Sequence, residues 1–280
     1  MNLPHMNLGV VAGGGALPLQ VVEGAKHAGH SVRVAQIAGQ GDASRFDVQV
    51  REFPIGSFGA LTGWFRDATV RHVCLAGTVE RPDFGSLKPD LKAVKYLPSV
   101  AKAARQGDDA LLQSLMRAFE AEGFTVVAPQ DLAEHLLAPE GQIGAVTIPK
   151  GAREDILKAC EMAREMGRLD IGQAAVVCDG VVLAVEAQEG TAEMLRRVAK
   201  LPPRVRGAPA LRKGIVAKML KPGQDSRVDL PTIGLETVQI AASAGIAGIV
   251  VEAGRAFILD REAMVEAADR EGMFVMGLPA

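Results

Sequence analysis

The sequence predicts an α/β protein, with a Rossmann-like N-terminal domain on a parallel sheet and a second C-terminal α/β domain on a mixed sheet. Three observations predict it. Short apolar runs alternate with longer amphipathic ones, the pattern of strands and covering helices. Aromatics are 4% of the chain against an apolar fraction of 48%; small and branched residues let helices lie close on sheets. A dipeptide Asp179-Gly180 between two apolar runs adds a hairpin to the second half. The length of 280 residues suits two domains. We expect residues 1–133 as the first, 134–150 as a linker punctuated by Pro139, Gly141, Gly144 and Pro149, and 151–280 as the second.

The elements follow in order. Leu8 to Ala12 is a buried strand running into three glycines. Pro18 suits the first turn of the next helix, where a missing N–H costs nothing. That helix reaches Ala28 and stops near Gly29. Val32 to Ile37 is a strand, Phe58 to Asp67 a helix, and His72 to Ala76 a strand ending at Gly77. Lys92 to Glu122 is helical, cut near Gly107, with an Asp of the 108–109 pair as cap of the second piece. Phe124 to Ala128 is a further strand. In the second half, Arg153 to Met166 is an amphipathic helix, and Ala174 to Cys178 with Val181 to Glu186 forms the hairpin. A helix capped by Thr191 runs to Val198, and a strand spans Gly214 to Leu220. After a polar loop to Pro231 come a helix (Glu236 to Ala244), two strands around Ala253-Gly254-Arg255, a helix (Glu262 to Glu271) and a last strand (Met273 to Met276).

Composition narrows the function. The formal net charge is −2, from 31 basic and 33 acidic residues. No field attracts a polyanion, so no nucleic-acid partner is expected. Cys74, Cys160 and Cys178 are far apart and read as buried, reduced thiols of a cytosolic protein. No signal peptide is visible at the start, and no run approaches the roughly 20 apolar residues of a membrane span.

Five segments could carry chemistry. Gly13, Gly14 and Gly15 lie between a strand and a helix; they form either a phosphate-binding loop or a plain tight turn. They lack the dinucleotide fingerprint: Pro18 replaces its third glycine, and Gln36-Ile37-Ala38-Gly39 offers no acid for a ribose. Arg81 follows the strand at His72 to Ala76, where an arginine either holds a phosphate or is solvated. Asp108-Asp109 is either a metal-binding pair or a helix start. Asp170 to Gln173 and Glu186 to Thr191 form the fourth segment; Glu186 ends an otherwise apolar strand. The fifth is the most informative. Lys218 interrupts an apolar run, and Lys221, Gln224, Asp225, Ser226, Arg227 and Asp229 follow before Pro231. Phosphoryl transfer to water needs such a kit: cations for the phosphate oxygens, and a carboxylate to hold a divalent metal or orient a water.

These motifs, taken in order, resemble the UDP-2,3-diacylglucosamine pyrophosphatases of lipid A biosynthesis in Gram-negative bacteria, the type without the metallophosphoesterase fold. The family pattern Ala-Gly-x-Gly-x-Leu-Pro is Ala12 to Pro18 here, and Gly-Asp-Asp-x-Leu-Leu is Gly107 to Leu112. Asp-x-Gly-Gln is Asp170 to Gln173, Glu-x-x-Glu-Gly-Thr is Glu186 to Thr191, and the Lys…Gln-Asp-x-Arg-x-Asp-x-Pro loop is Lys218 to Pro231. The match runs from about Leu8 to the last strand; Ala192 departs from it, standing where the pattern suggests an aspartate.

The resemblance implies hydrolysis of UDP-2,3-diacylglucosamine to UMP and 2,3-diacylglucosamine 1-phosphate (lipid X), with Mg²⁺ or a similar divalent cation. The place of work is the cytoplasm, at or beside the inner membrane through peripheral contact. In this reading Asp225 is the essential carboxylate, supported by Gln224. Lys218 and Arg227 neutralise the diphosphate. Glu186 and Asp229 are second-choice metal ligands beside Asp225. Gly13, Gly14, Gly15, Arg81, Gln173 and Thr191 contact substrate. A two-fold homodimer is compatible with the sequence. Two other classes stay open: a protein that holds a nucleotide sugar or lipid without turnover, and a nucleotide-dependent oxidoreductase.

Overall fold

A computed structural model of the chain describes residues 4–80, 82–105, 107–223, 227 and 230–279. It shows two compact α/β units. Among the described residues, the first takes in those up to His135 together with Arg227, and the second takes in the others from Leu136.

The first unit alternates β1 (Asn7–Ala12), α1 (Leu17–His27), β2 (Ser31–Ile37), β3 (Gln49–Phe53), α2 (Phe58–Asp67) and β4 (His72–Ala76). It continues with α3 (Leu91–Ala104), α4 (Asp108–Ala121), β5 (Thr125–Val126) and α5 (Pro129–Leu132). Its five strands are all parallel, in the order β3-β2-β1-β4-β5. The order reverses between β1 and β4, which is where open α/β sheets bind ligands. The few aromatics gather in this unit: Phe53, Phe65, Phe119 and Phe124 share one core cluster, with Phe58 edge-on to Tyr96 and to Phe119.

Some elements were not legible. Strand β3 reads Gln-Val-Arg-Glu-Phe, mostly exposed; it is an edge strand, and charges on an edge suit it to remain one. Only Thr125–Val126 of the expected 124–128 strand joins the sheet, because Pro129 starts a helix just beyond it. Helix α3 is capped by Asp90, whose side chain accepts from the Ala93 amide. Helix α4 has Gly107 at its cap position instead of an aspartate, with φ 143°; this is backbone a side chain rarely adopts.

The second unit contains β6 (Gly141–Ile143), α6 (Ala152–Arg168), β7 (Ala174–Cys178), β8 (Val181–Val185), α7 (Gly190–Ala199), α8 (Pro203–Arg206) and β9 (Gly207–Ala208). There follow β10 (Leu211–Lys218), β11 (Thr232–Ile233), α9 (Leu235–Ser243), β12 (Ile246–Glu252), β13 (Phe257–Ile258), α10 (Arg261–Arg270) and β14 (Phe274–Leu278). The main sheet runs β6-β14-β12-β10-β7-β8, with β9 beside β10. Strands β10, β12 and β14 are parallel; β6, β7 and β8 pair antiparallel. The stretch expected as a linker thus includes β6, an edge strand on β14.

Both faces of this sheet are covered. Val176, Val216, Ile249 and Val251 join residues of α7, α9 and α10 in one cluster. Their neighbours Ala175, Val177, Ile215, Ala217 and Val250 join α6 in another. Successive residues of a strand point to opposite faces, so a strand covered on both sides reads as a continuous apolar run. The strands flanking Ala253-Gly254-Arg255 do not pair with each other. Both edges of β12 are already filled by β10 and β14, and β13 pairs in parallel with β11.

Glu122, just past α4, ties the first unit's helices together. Its carboxylate accepts from Lys92 at 2.8 Å, Arg66 at 2.7 Å and Tyr96 Oη at 2.9 Å. These bonds, Lys92 first, hold its pKa down at about 2, against an ordinary 4.5. The stabilisation is complete above the unfolded-state value and is lost as pH falls from there through about 2. Glu122→Gln is expected to cost about 1–3 kcal/mol at pH 7 and to flatten the acid limb of stability below pH 4.5. Urea unfolding as a function of pH measures both.

Candidate functional site

At the switch point of the first sheet, two of the loops singled out in the sequence meet. The amide of Gly13 donates to Ala76 O at 2.9 Å and that of Gly14 to Thr78 O at 2.7 Å; Thr78 N returns a bond to Gly14 O at 3.1 Å. A Cβ on Gly13 would run into the Thr78 carbonyl, and one on Gly14 into that of Gln40. The glycines are there because backbone approaches backbone. Two of the three amides are therefore engaged within the protein, leaving Gly15 and the first turn of α1 as the loop's outward donors. The buried Gln36, at the end of β2, donates to Ala12 O at 3.0 Å and Gly13 O at 3.3 Å. It braces the loop from the place where a dinucleotide enzyme would carry its ribose-binding acid. A small cleft of about 50 Å³ opens beside the loop, lined by Gly13, Gly15, Gln36, Asp42 and Arg45. Arg45 brings a cation to this cleft that sequence reading did not single out. Arg81 lies outside the described residues.

In the second unit the pairing register brings four other groups to one end of the sheet. Lys218 closes β10 opposite Ala174, the first residue of β7. Val185, at the end of β8, pairs with Ala175. Gln173, Glu186 and Lys218 therefore share that end with Glu252, the last residue of β12. It is the carboxyl end of the parallel strands β10 and β12.

Glu186 is buried, 6% exposed. Its Oε1 accepts from Thr191 Oγ1 at 2.8 Å and its Oε2 from the Gln173 amide at 3.2 Å. Thr191 does not cap its helix: it sits within the first turn of α7, and its hydroxyl serves the glutamate instead. A Cβ on Gly172 would collide with the Glu186 carbonyl, so the two loops lie directly against one another. Gln173 O accepts from Met219 N at 2.9 Å. Gln173 Oε1 is buried without a hydrogen-bond partner among the described residues. Lys218 Nζ donates to Thr232 O at 3.0 Å, which leaves two of its three protons for other acceptors.

Two further pairs brace this end. Glu252 accepts from Arg164 Nη2 at 2.7 Å and from Leu220 N at 3.3 Å. Lys221 Nζ is 2.8 Å from Asp170. Sequence reading passed over Glu252, although it carries the signal that picked out Glu186, a carboxylate closing an apolar strand. Gln224, Asp225 and Asp229 lie outside the described residues. Arg227 groups with the first unit, its Nη1 3.2 Å from Glu120 Oε1. Asp109 reaches Gln113 on its own helix, 2.8 Å away.

A divalent ion needs several oxygen ligands. Among the described residues no three His, Cys, Asp or Glu side chains gather into a metal-holding group. Glu186, one of the expected ligands, already uses both oxygens on protein donors. The described groups do not by themselves compose a metal site. The thiols stand apart: burial pushes Cys160 and Cys178 each up to about 11 and Cys74 higher still.

Fold and site together define a two-unit α/β protein with a polar cluster at the strand ends of each sheet. Its first unit carries a glycine loop at the switch point of a parallel sheet. The LpxI N-terminal domain family matches residues 7–136, and the LpxI C-terminal domain family matches 139–276. The chain belongs to the LpxI family. A curated relative, the UDP-2,3-diacylglucosamine pyrophosphatase LpxI of Caulobacter vibrioides, is 48% identical over 271 residues, 97% of each chain. Among solved structures, CobK precorrin-6A reductase aligns over 98% of this chain and 88% of its own at 14% identity, with a TM-score of 0.34, too low to bear on fold or activity.

Replacing Glu186 tests the second cluster. Glu186→Ala strands the Thr191 hydroxyl and the Gln173 amide in a buried place, and is expected to cost about 2–4 kcal/mol. Glu186→Gln keeps an acceptor and is expected to cost less than half of that. Denaturant unfolding of both variants checks the order.

Proposed function

We propose that this protein hydrolyses the pyrophosphate of UDP-2,3-diacylglucosamine, releasing UMP and 2,3-diacylglucosamine 1-phosphate. One observation carries the reading: both halves of the chain match the LpxI domains in order, and a pyrophosphatase of that name is 48% identical from end to end. The geometry supports it. A nucleotide sugar presents anionic phosphates and many hydroxyls, and each strand-end cluster offers donors for them.

In this reading, water attacks one phosphorus, the new P–O bond forms, and the bridging oxygen leaves on the other phosphate with its electron pair. Lys218 supplies positive charge for the phosphate oxygens through its remaining protons. Arg227 and Arg81 are assigned the same task; Arg45 lines the cleft beside the glycine loop. Gly15 and the first-turn amides of α1 meet a phosphate at the helix's positive end. Gln173 Oε1 accepts from a substrate N–H or hydroxyl. Glu186 fixes Gln173 and Thr191 through one hydrogen bond on each of its oxygens. Asp225, supported by Gln224, aligns the water or binds a divalent cation, with Asp229 in reserve.

The magnesium requirement and the role of Asp225 rest on the resemblance. We assign the work to a lipid surface, through peripheral contact, because the proposed substrate carries acyl chains. No helix among the described residues is long and apolar enough to cross a membrane. UMP release from UDP-2,3-diacylglucosamine, followed with Mg²⁺ and with a chelator, tests the reading. We expect release with Mg²⁺, its loss with chelator, and a fall of about 10³-fold or more in Asp225→Ala. A folded Asp225→Ala with near-normal turnover would remove that residue's role. Tight binding of substrate with no release by the wild type would make the chain a binding protein.

A further inference from the structure

We propose that the outer face of α3 is the surface on which this protein docks to an anionic lipid bilayer. The inference rests on the lipid-surface reading above and names the part of the chain that makes the contact.

The sequence Leu91-Lys-Ala-Val-Lys-Tyr-Leu-Pro-Ser-Val-Ala-Lys-Ala-Ala folds as one helix of 14 residues. Its inner face buries Ala93, Ala103 and Ala104. Leu91, Val94, Lys95, Pro98 and Lys102 are all exposed, at the spacing of a single helix face. Leu91 leaves 95% of its surface open and Val94 52%. One exposed leucine is ordinary. Two apolar residues one turn apart, followed on the same face by Pro98, make a short apolar ridge at the amino-terminal end of the helix.

The charge carried by α3 and its flanks is mostly positive. From Lys88 to Arg105 the chain carries Lys88, Lys92, Lys95, Lys102 and Arg105 against a single acid, Asp90. Asp90 faces inward: one oxygen accepts from Ala93 N at 2.8 Å, the other from Gly59 N at 2.7 Å and Ala60 N at 3.0 Å. Glu122, just past α4, is held by Lys92 and Arg66, with Lys95 3.9 Å away. What remains for a partner is Lys88, Lys102 and Arg105, all exposed. Beside them a groove of about 440 Å³ lies between α3 and α4, with Ser99, Lys102, Ser114 and Arg117 among its lining. Two cations and two hydroxyls suit the phosphate of a lipid headgroup.

Charge chooses the occupant. A second copy meeting this face across a two-fold axis would set the same cations against each other, and like charges opposed are destabilising. An anionic bilayer complements them, takes the apolar ridge into its interface and lets the lysines reach the headgroups.

The test is co-sedimentation of the full chain with vesicles of phosphatidylglycerol and phosphatidylcholine, or of phosphatidylcholine alone. Turnover of detergent-dispersed UDP-2,3-diacylglucosamine is measured alongside. Wild type is expected to bind the anionic vesicles and not the neutral ones, more weakly as salt rises. The double variant Leu91→Asp, Val94→Asp is expected to lose about tenfold or more of that binding. Lys102→Glu with Arg105→Glu is expected to lose about fivefold per charge or more. Both should keep wild-type turnover in detergent, which also shows that they are folded. Variants that bind anionic vesicles like the wild type would overturn the assignment of α3. A wild type that turns over dispersed substrate yet binds no vesicle would overturn docking while leaving the hydrolase reading intact. Absent turnover with intact vesicle binding would do the reverse. A mass that falls from dimer to monomer in Leu91→Asp, Val94→Asp would show the face to be an interface between copies, against the proposal.

Discussion

A carboxylate taken out of water must meet donors, and three glutamates impose that condition on the loops around them. Glu122, Glu186 and Glu252 have side chains 11%, 6% and 5–6% exposed, respectively. Each is satisfied by groups from different parts of the chain. Glu122 gathers α2 and α3 at the end of α4. Glu186 joins the loop before β7 to the first turn of α7. Glu252 joins α6 to the backbone just past β10. Removing its donors would leave a buried carboxylate unsatisfied. The segments that carry the candidate groups of the second unit are thus fixed by electrostatic necessity at their bases.

Glycines serve the same end by a different route in the first unit. Gly13 and Gly14 are hydrogen-bonded backbone to backbone with the 76–78 segment, so the two loops beyond β1 and β4 are one structural object. This explains why a glycine loop that resembles a nucleotide fingerprint need not bind a dinucleotide. Much of its hydrogen-bonding capacity holds the loop itself, and Gln36 completes the brace.

The fold was legible where burial dictates the pattern. Strands covered on both faces, such as β7, β10 and β12, stood out as apolar runs, and Asp179-Gly180 marked the hairpin of β7 and β8. It was not legible at the edge strands β3 and β6. Each has one neighbour and needs few apolar residues, so its sequence looks like a loop. Of the site, Gln173, Glu186, Thr191 and Lys218 were found as separate motifs, and the structure joins the first three in one hydrogen-bonded group and places Lys218 at the same sheet end. Glu186 was read as a second-choice metal ligand; in the structure each of its oxygens also accepts a hydrogen bond, one from an amide and one from a hydroxyl, which no spacing rule reveals. Arg45 escaped notice because its loop has no periodicity, and only folding brings it beside the glycines.

The central claim is that this chain cuts a nucleotide sugar between its two phosphates. Mass spectrometry of the products from UDP-2,3-diacylglucosamine tests it most directly. The account predicts UMP and 2,3-diacylglucosamine 1-phosphate in equal amounts. UDP with free 2,3-diacylglucosamine would place the cut at the sugar, and would contradict it.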